Sequence, residues 1–219
     1  MKNTLNRFKL LIISASVLIF SGCANVNDMP IQENGNHIDT SEESVLVGRL
    51  SIKNVNAPDY QPELLTIITK KGEEYFSHVS PVLLASNGEN GKDYFFSMKA
   101  KPGNMELKHI RFLSNGFLIH GMGDLIVNQS VDVPEDQVVY IGNIDAVIVP
   151  REEGQMRAGP VIPLIDQAVT GFSDGTYEVE ISDQYEDDVR LLLKKYPYLK
   201  DKKISKQILA PWKAPVVVE

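Results

Sequence analysis

The sequence predicts a mainly β protein, an antiparallel β-sandwich of about seven strands with one C-terminal amphipathic helix. Short segments rich in β-branched and aromatic residues recur along the chain, and Gly, Pro, Asn and Asp residues separate them. Only one segment, near the C-terminus, has helical periodicity. With 43% hydrophobic residues, the chain has enough apolar material for one sizeable core.

The first predicted strand begins at Val45, where VLVGRLSIK shows partial two-residue alternation. The second is Glu63 to Lys70 (ELLTIITK), which is rich in β-branched residues. Two further strands, Asp93 to Ala100 (DYFFSMKA) and Met105 to Phe112 (MELKHIRF), flank the turn residues Lys101 to Asn104. We therefore expect these two strands to pair as a hairpin.

The later strands are Asp124 to Val133 (DLIVNQSVDV) and Gln137 to Val149 (QVVYIGNIDAVIV), with Pro134 to Asp136 between them as a turn. Gly142 interrupts the second of these, which predicts a bulge or a close backbone approach. A last strand, Thr176 to Ile181 (TYEVEI), alternates apolar and polar residues. One of its faces should border solvent. Together the strands form a predicted domain over residues 45–181.

The helix is predicted directly after the last strand, in a segment of residues 182–219 that packs on the sandwich or extends from it. Asp183 followed by Glu186 resembles a capping box, and Pro197 marks the end of the helix. Apolar residues recur at helical spacing between them: Tyr185, Val189, Leu192, Leu193 and Tyr196. The tail VVV would either pair as an edge strand or remain free.

The N-terminus has the pattern of an export signal. Lys2, Arg7 and Lys9 precede an apolar run from Leu10 to Phe20 (LLIISASVLIF), as an n-region precedes an h-region. The run is much shorter than the roughly 20 apolar residues that a bilayer-spanning helix needs. Residues 1–22 are therefore predicted to be a signal peptide that is removed.

The next residues, Phe20-Ser21-Gly22-Cys23, resemble the lipobox of bacterial lipoproteins, although the family usually has Leu where this chain has Phe20. The resemblance implies cleavage before Cys23 and a membrane anchor of diacylglycerol and palmitate on that cysteine. Ala24 and Asn25 follow in place of the Asp that retains such proteins at the inner membrane. The outer membrane, on its periplasmic side, is therefore expected. The alternative is an ordinary secretory signal with a cysteine near its cleavage site by accident.

The composition narrows the classes of function. Cys23 is the only cysteine, so a lipidated chain has no disulfide, no thiolate metal site and no Cys nucleophile. Residues 24–44 are polar and acidic without periodicity, which predicts a flexible tether over residues 23–44. Without the signal peptide the formal net charge changes from −7 to −10. That charge argues against binding of nucleic acid.

Three motifs of the chain carry a wider resemblance: Lys101 to Leu107 (KPGNMEL), Val138 to Ile144 (VVYIGNI), and Asp188 with the LLKKYP that follows it. They resemble motifs of uncharacterised Gram-negative bacterial lipoproteins. The resemblance extends over residues 45–209, and the spacing between the motifs is loose. The resemblance implies a transthyretin-like or immunoglobulin-like sandwich. It implies no established activity.

The sequence contains few candidate catalytic or metal-binding motifs. Gly171 to Gly175 (GFSDG) matches the G-x-S-x-G pattern, but a strand is predicted after Ser173 where a nucleophile elbow has a helix, and no histidine follows. The histidines are dispersed and the acidic cluster Asp183 to Asp188 lacks the pattern of a calcium loop. We therefore predict no catalytic residue, no metal and no cofactor. Favourable interaction with the helix N-terminus accounts for the acidic cluster.

The sequence thus favours a membrane-anchored, non-catalytic binding or structural module whose partner is an envelope component. Two alternatives remain. One is an envelope hydrolase whose carboxylates are paired only in three dimensions. The other is an assembly subunit that donates or accepts a strand, for which the VVV tail is the only indication.

Overall fold

The computed structural model describes residues 25–86, 90–116, 119–161 and 168–216. Within these ranges the chain forms eleven strands and one α-helix. The strands are β1 (Asn25–Asp28), β2 (Ser44–Asn54), β3 (Glu63–Lys71), β4 (Glu74–Val79), β5 (Val82–Ser86), β6 (Lys92–Ala100), β7 (Gly103–Gly116), β8 (Ile119–Val133), β9 (Val138–Pro150), β10 (Gly175–Ser182) and β11 (Ile204–Lys206). The helix, α1, is Tyr185–Lys195.

The strands form two mixed sheets in a sandwich-like arrangement. One sheet has the order β1-β4-β3-β7-β8, and the other has the order β10-β9-β2-β6-β5 with β11 added beside β9. The main core cluster combines side chains from both sheets, among them Leu46, Ile52, Ile67, Phe96, Phe112 and Leu125. The predicted mainly β fold with one C-terminal helix is confirmed.

The predicted strand count and the purely antiparallel pairing are wrong. The described residues contain eleven strands, and the pairs β1–β4, β2–β9 and β9–β11 are parallel. The strands β1 (NVND) and β11 (ISK) are short and carry little apolar pattern, so nothing local distinguishes them from loops. Parallel pairing depends on contacts between distant segments, which the pattern within each strand does not report.

The predicted hairpin of β6 with β7 is also wrong, because the two strands belong to different sheets. β6 pairs with β2 and β5, whereas β7 pairs with β3 and β8. The Lys71 ammonium donates hydrogen bonds to the carbonyls of Lys101 and Pro102 where the chain crosses between the sheets. The Pro102-Gly103 step therefore ends one strand and begins another without pairing them.

The predicted irregularity at Gly142 is confirmed. Val47 pairs with Tyr140 and Arg49 with Asn143, so β9 contains one residue more than β2 between these pairs. Gly142 lies at this bulge with φ of 119°, a conformation that side chains other than glycine rarely adopt. The bulge lies beside Gly48 of β2, where an added Cβ would be 2.9 Å from the Gly142 carbonyl oxygen.

The segment predicted as a flexible tether packs against the domain over its described part, residues 25–44. β1 pairs with β4, and the side chains of Met29, Ile31 and Ile38 are buried. The Ile31 N–H donates to Ser97 Oγ at 3.0 Å. Three isolated apolar residues in a polar stretch have no periodicity, which is why the sequence predicted a coil here. Cys23 and the predicted signal peptide lie outside the described residues.

Helix α1 lies against the six-stranded sheet. Leu192 and Tyr196 join a second buried cluster with Val45, Val47 and Tyr140. The capping box is not formed; instead Asp183 Oδ1 accepts a hydrogen bond from the Tyr185 N–H at 3.1 Å. In the part of the chain that the structure describes, no helix has both the length and the apolar character needed to cross a bilayer.

His78 of β4 makes the stability of the fold sensitive to acid. Its side chain is buried, Nε2 lies 2.9 Å from Thr69 Oγ1, and burial lowers the pKa of the imidazole to about 4. Below about pH 6.5 the unfolded chain takes up a proton that the folded imidazole does not accept. The free energy of unfolding should therefore fall by about 2 kcal/mol between pH 7 and pH 4.5 through this residue.

Urea denaturation of the wild-type protein, His78→Gln and His120→Gln at both pH values checks this. His120 is exposed, so its variant should retain the wild-type loss of stability, while His78→Gln should lose less. Equal losses in all three proteins would contradict the assignment to His78.

Candidate functional site

A cleft with a volume of about 870 Å³ lies along the β8 edge of the five-stranded sheet. The outward-facing residues Met122, Asp124 and Ile126 of β8 form one side of it. The segment that follows β9 and the last described residues of the chain form the other sides. Arg111 of β7 also lines the cleft, which therefore combines segments that are distant in sequence.

The segment after β9 is held between the two sheets by backbone hydrogen bonds. The Asp124 N–H donates to the Ala158 carbonyl at 2.8 Å, and the Ala158 N–H donates to the Gly175 carbonyl at 2.8 Å. The Gly159 N–H donates to the Phe172 carbonyl at 2.9 Å. The segment thus satisfies polar groups of the β8 edge, which an open edge strand would leave for other chains.

The C-terminal segment covers the next part of the same edge. Trp212 Nε1 donates to the Ile126 carbonyl at 2.8 Å, and Gln129 Nε2 donates to the Ala210 carbonyl at 2.8 Å. Val216 then reaches the lining of the cleft. Trp212, the only tryptophan of the chain, lies at a small pocket that shares Asp124 and Ile126 with the cleft.

The Phe172 ring lies behind the cleft and explains two glycines of β8. An added Cβ on Gly121 would lie 2.7 Å from the ring, and one on Gly123 would lie 2.4 Å from it. Gly116, Gly121 and Gly123 all lie in strands. The β8 glycines are required by close packing, which a sequence pattern does not distinguish from loop flexibility.

Ser173 has no nucleophile-elbow geometry in the structure. Strand β10 begins two residues after it, where an elbow would have a helix, and the Ser173 carbonyl accepts a hydrogen bond from Arg157. Within the GFSDG motif, Phe172 has a structural role, because its side chain is fully buried.

Three arginines line the cleft: Arg111, Arg151 and Arg157. The Arg151 guanidinium donates to the carbonyls of Glu152 and Gln155 at 3.3 and 3.0 Å, and that of Arg157 donates to the Ser173 carbonyl. Neither forms an ion pair with a carboxylate of the described residues. The positive charge of Arg111 is partly compensated, since its Nε lies 3.9 Å from Asp124 Oδ1.

The remaining polar groups of the site surround Asp124. His109 Nδ1 lies 2.9 Å from Asp124 Oδ1. The Tyr177 hydroxyl lies beneath the strand, 2.5 Å from the position of an added Cβ on Gly123, and it has no hydrogen-bond partner among the described residues. Burial, together with the nearby Asp124 carboxylate, raises the pKa of Tyr177 well above its usual value. The hydroxyl therefore keeps its proton at neutral pH.

The histidines and the acidic cluster noted in the sequence do not form a common site among the described residues. Strands β7 and β8 pair, but the register places His109 opposite Ile126 and His120 opposite Asn115. The acidic residues of α1 also face different surroundings. Asp187 pairs with Arg190 on the surface, whereas Asp188 is buried. In the described ranges, no group of three or more His, Cys, Asp or Glu side chains is arranged to hold a metal ion.

A second polar cluster lies between α1 and the six-stranded sheet. Arg49 bridges two carboxylates, with one guanidinium nitrogen 3.3 Å from Asp188 and another 3.3 Å from Asp93. Asp188 also accepts a hydrogen bond from the Tyr140 hydroxyl at 2.5 Å. Burial and this hydrogen bond raise the pKa of Tyr140 well above its usual value. The cluster joins the helix to the sheet and contributes no residue to the cleft.

Sequence reasoning did not identify the arginines of the cleft. Arg111 lies in β7, while Arg151 and Arg157 lie in the irregular segment after β9. No spacing rule links them, and isolated arginines are usually solvated surface residues. Comparison with protein families, with curated proteins and with solved structures finds no match for the chain.

Proposed function

We propose that the protein is a lipid-anchored lipoprotein of the bacterial envelope that binds a ligand in the arginine-lined cleft and catalyses no reaction. The main support is the cleft itself, where Arg151 and Arg157 present guanidinium groups without carboxylate partners among the described residues. A concave site with apolar walls and a few convergent polar groups is typical of ligand binding. The N-terminal pattern ending at Cys23 supports the anchor.

Binding fits the cleft better than hydrolysis by paired carboxylates. Glycoside hydrolysis by that route uses two carboxyl groups about 5 to 10 Å apart. Among the described lining residues Asp124 is the one carboxylate, and it is engaged by His109. Asp93 and Asp188 lie near each other but around the Arg49 guanidinium, which holds both in ion pairs. Hydrolytic turnover that Asp124→Asn abolishes would contradict the proposal.

The anchor would hold the domain close to the membrane. Cys23 lies two residues before the start of β1 at Asn25, and an extended chain covers only about 3.5 Å per residue. We place the protein at the outer membrane, facing the periplasm, because Ala24 and Asn25 follow the cysteine. The partners proposed are the membrane, through lipid on Cys23, and an envelope component in the cleft. Membership of a sandwich lipoprotein family stays a prediction.

Cys23→Ser should abolish incorporation of labelled palmitate and leave a precursor that keeps its signal peptide, because the thiol is the group that receives the lipid. Metabolic labelling followed by gel electrophoresis and mass determination of the N-terminus measures both effects. Ser21→Ala is the matched control, since it keeps a small residue before the cysteine and should still be labelled. Labelled lipid on the Cys23→Ser protein would exclude the lipoprotein assignment.

A further inference from the structure

We infer that the cleft binds an amphipathic anion, a ligand with one carboxylate or phosphate group on an apolar body. This inference rests on the proposed binding function and names the ligand class. Three features carry it: an excess of guanidinium groups in the cleft, its exposed apolar walls, and a hydroxyl donor at the adjoining small pocket that has no partner among the described residues.

The positive charge of the cleft is unusual for this protein. Three arginines and one aspartate among the described lining residues make a formal charge of +2, in a chain of net charge −7. Arg151 and Arg157 use one guanidinium nitrogen each in the hydrogen bonds to backbone carbonyls. No hydrogen bond to the described residues occupies their other N–H groups, which can bind a carboxylate or phosphate, whose geometry matches the guanidinium fork.

The walls beside these arginines suit an apolar body. Met122 is 43% exposed at the cleft, and Ile126, Met156 and Val216 complete an apolar surface. Methionine side chains adapt their shape to a bound apolar group. The volume of about 870 Å³ lies in the range of small-molecule sites, which is about 300 to 1,000 Å³. Free inorganic phosphate would leave most of this space unfilled.

The Tyr177 hydroxyl gives an independent indication. It is buried with no partner among the described residues, at a small pocket that shares Asp124, Ile126, Met156 and Arg157 with the cleft. A buried hydroxyl that donates no hydrogen bond destabilises a protein by about 1 to 3 kcal/mol. An acceptor atom that enters this small pocket would give the hydroxyl a partner.

The fluorescence of Trp212 allows a direct test, because this residue is the only tryptophan and packs at the edge of the site. The mature protein, in vesicles of phosphatidylcholine, is titrated with hexyl phosphate, hexanoate, inorganic phosphate and hexanol. We expect a saturable change in emission with at least one of the two amphipathic anions. Inorganic phosphate and hexanol should bind at least tenfold more weakly than that anion.

Two variants locate the binding. Arg151→Gln and Arg157→Gln should each weaken binding of the amphipathic anion at least tenfold, while Arg190→Gln should leave it unchanged because Arg190 lies on α1 and is exposed. Thermal denaturation checks that each variant is folded. Tyr177→Phe keeps the ring and removes the hydroxyl, so it should also weaken binding; an unchanged affinity would exclude a role for the hydroxyl.

The outcomes separate this inference from the proposed function. Equal affinity for hexanol and the anions would overturn the anion inference and leave a ligand-binding cleft. No saturable response to any probe, or an unchanged affinity in both arginine variants, would overturn the inference. Lipidation of Cys23 is measured separately and is unaffected by either result.

Discussion

Phe172→Ala is expected to lower the free energy of unfolding by about 4 kcal/mol, the largest effect of any single substitution that we predict. The Phe172 ring is fully buried and fills the space above Gly121 and Gly123 of β8. No side chain on either glycine can collapse into the cavity that alanine would leave. The free-energy cost of the lost burial and the cost of the unfilled cavity therefore add.

Urea denaturation at pH 7 measures this difference. Tyr75→Ala is a suitable control, because Tyr75 is an exposed aromatic residue and its loss should change stability by less than about 1 kcal/mol. Phe172→Ala with wild-type stability would contradict the packing described for the GFSDG motif.

Asp188→Ala should lower the free energy of unfolding by about 3 kcal/mol. It leaves the buried Tyr140 hydroxyl without its acceptor and removes one of the two carboxylates that compensate Arg49. The effect lies at the lower end for a broken buried ion pair, because the Arg49 side chain is 32% exposed and retains Asp93. The helix should separate from the sheet before the sheets unfold, since Asp188 joins the two.

Hydrogen exchange of the α1 amides and urea denaturation together measure the two effects. Asp187→Ala is the matched control, as the neighbouring carboxylate on the same helix turn is 73% exposed and pairs only with Arg190 among the described residues. Its stability should stay within about 0.5 kcal/mol of the wild-type value. Unchanged exchange in Asp188→Ala would show that the other contacts of α1, such as those of Leu192 and Tyr196, hold the helix without Asp188.

The fold class could be predicted because local patterns determine it. Alternation and β-branched residues identified β3 and β10, and Gly142 indicated the bulge of β9. The pairing of these strands was not predictable from the same patterns. Pro102-Gly103 ends a strand equally well in a hairpin and in a crossing between sheets, and only the packed core decides between them.

The candidate site was less predictable than the fold. Its arginines come from β7 and from an irregular segment, and its glycines resemble a flexible loop until Phe172 is placed against them. The buried tether residues were missed for the same reason, since Met29, Ile31 and Ile38 have no periodicity. In each case the informative contact joins residues that are far apart in the chain.

The parallel pairing of β2 with β9 governs the order in which the chain can fold. Val45 pairs with Val138, and the neighbouring bond from Gln137 to Ser44 spans 93 residues. The contact between Glu33, in the segment after β1, and Lys195, at the end of α1, spans 162 residues. Chains dominated by such distant pairings fold slowly, because the loop must close before the contacts form. Under the export that we propose, this delay would keep the polypeptide unfolded until most of it has crossed the membrane.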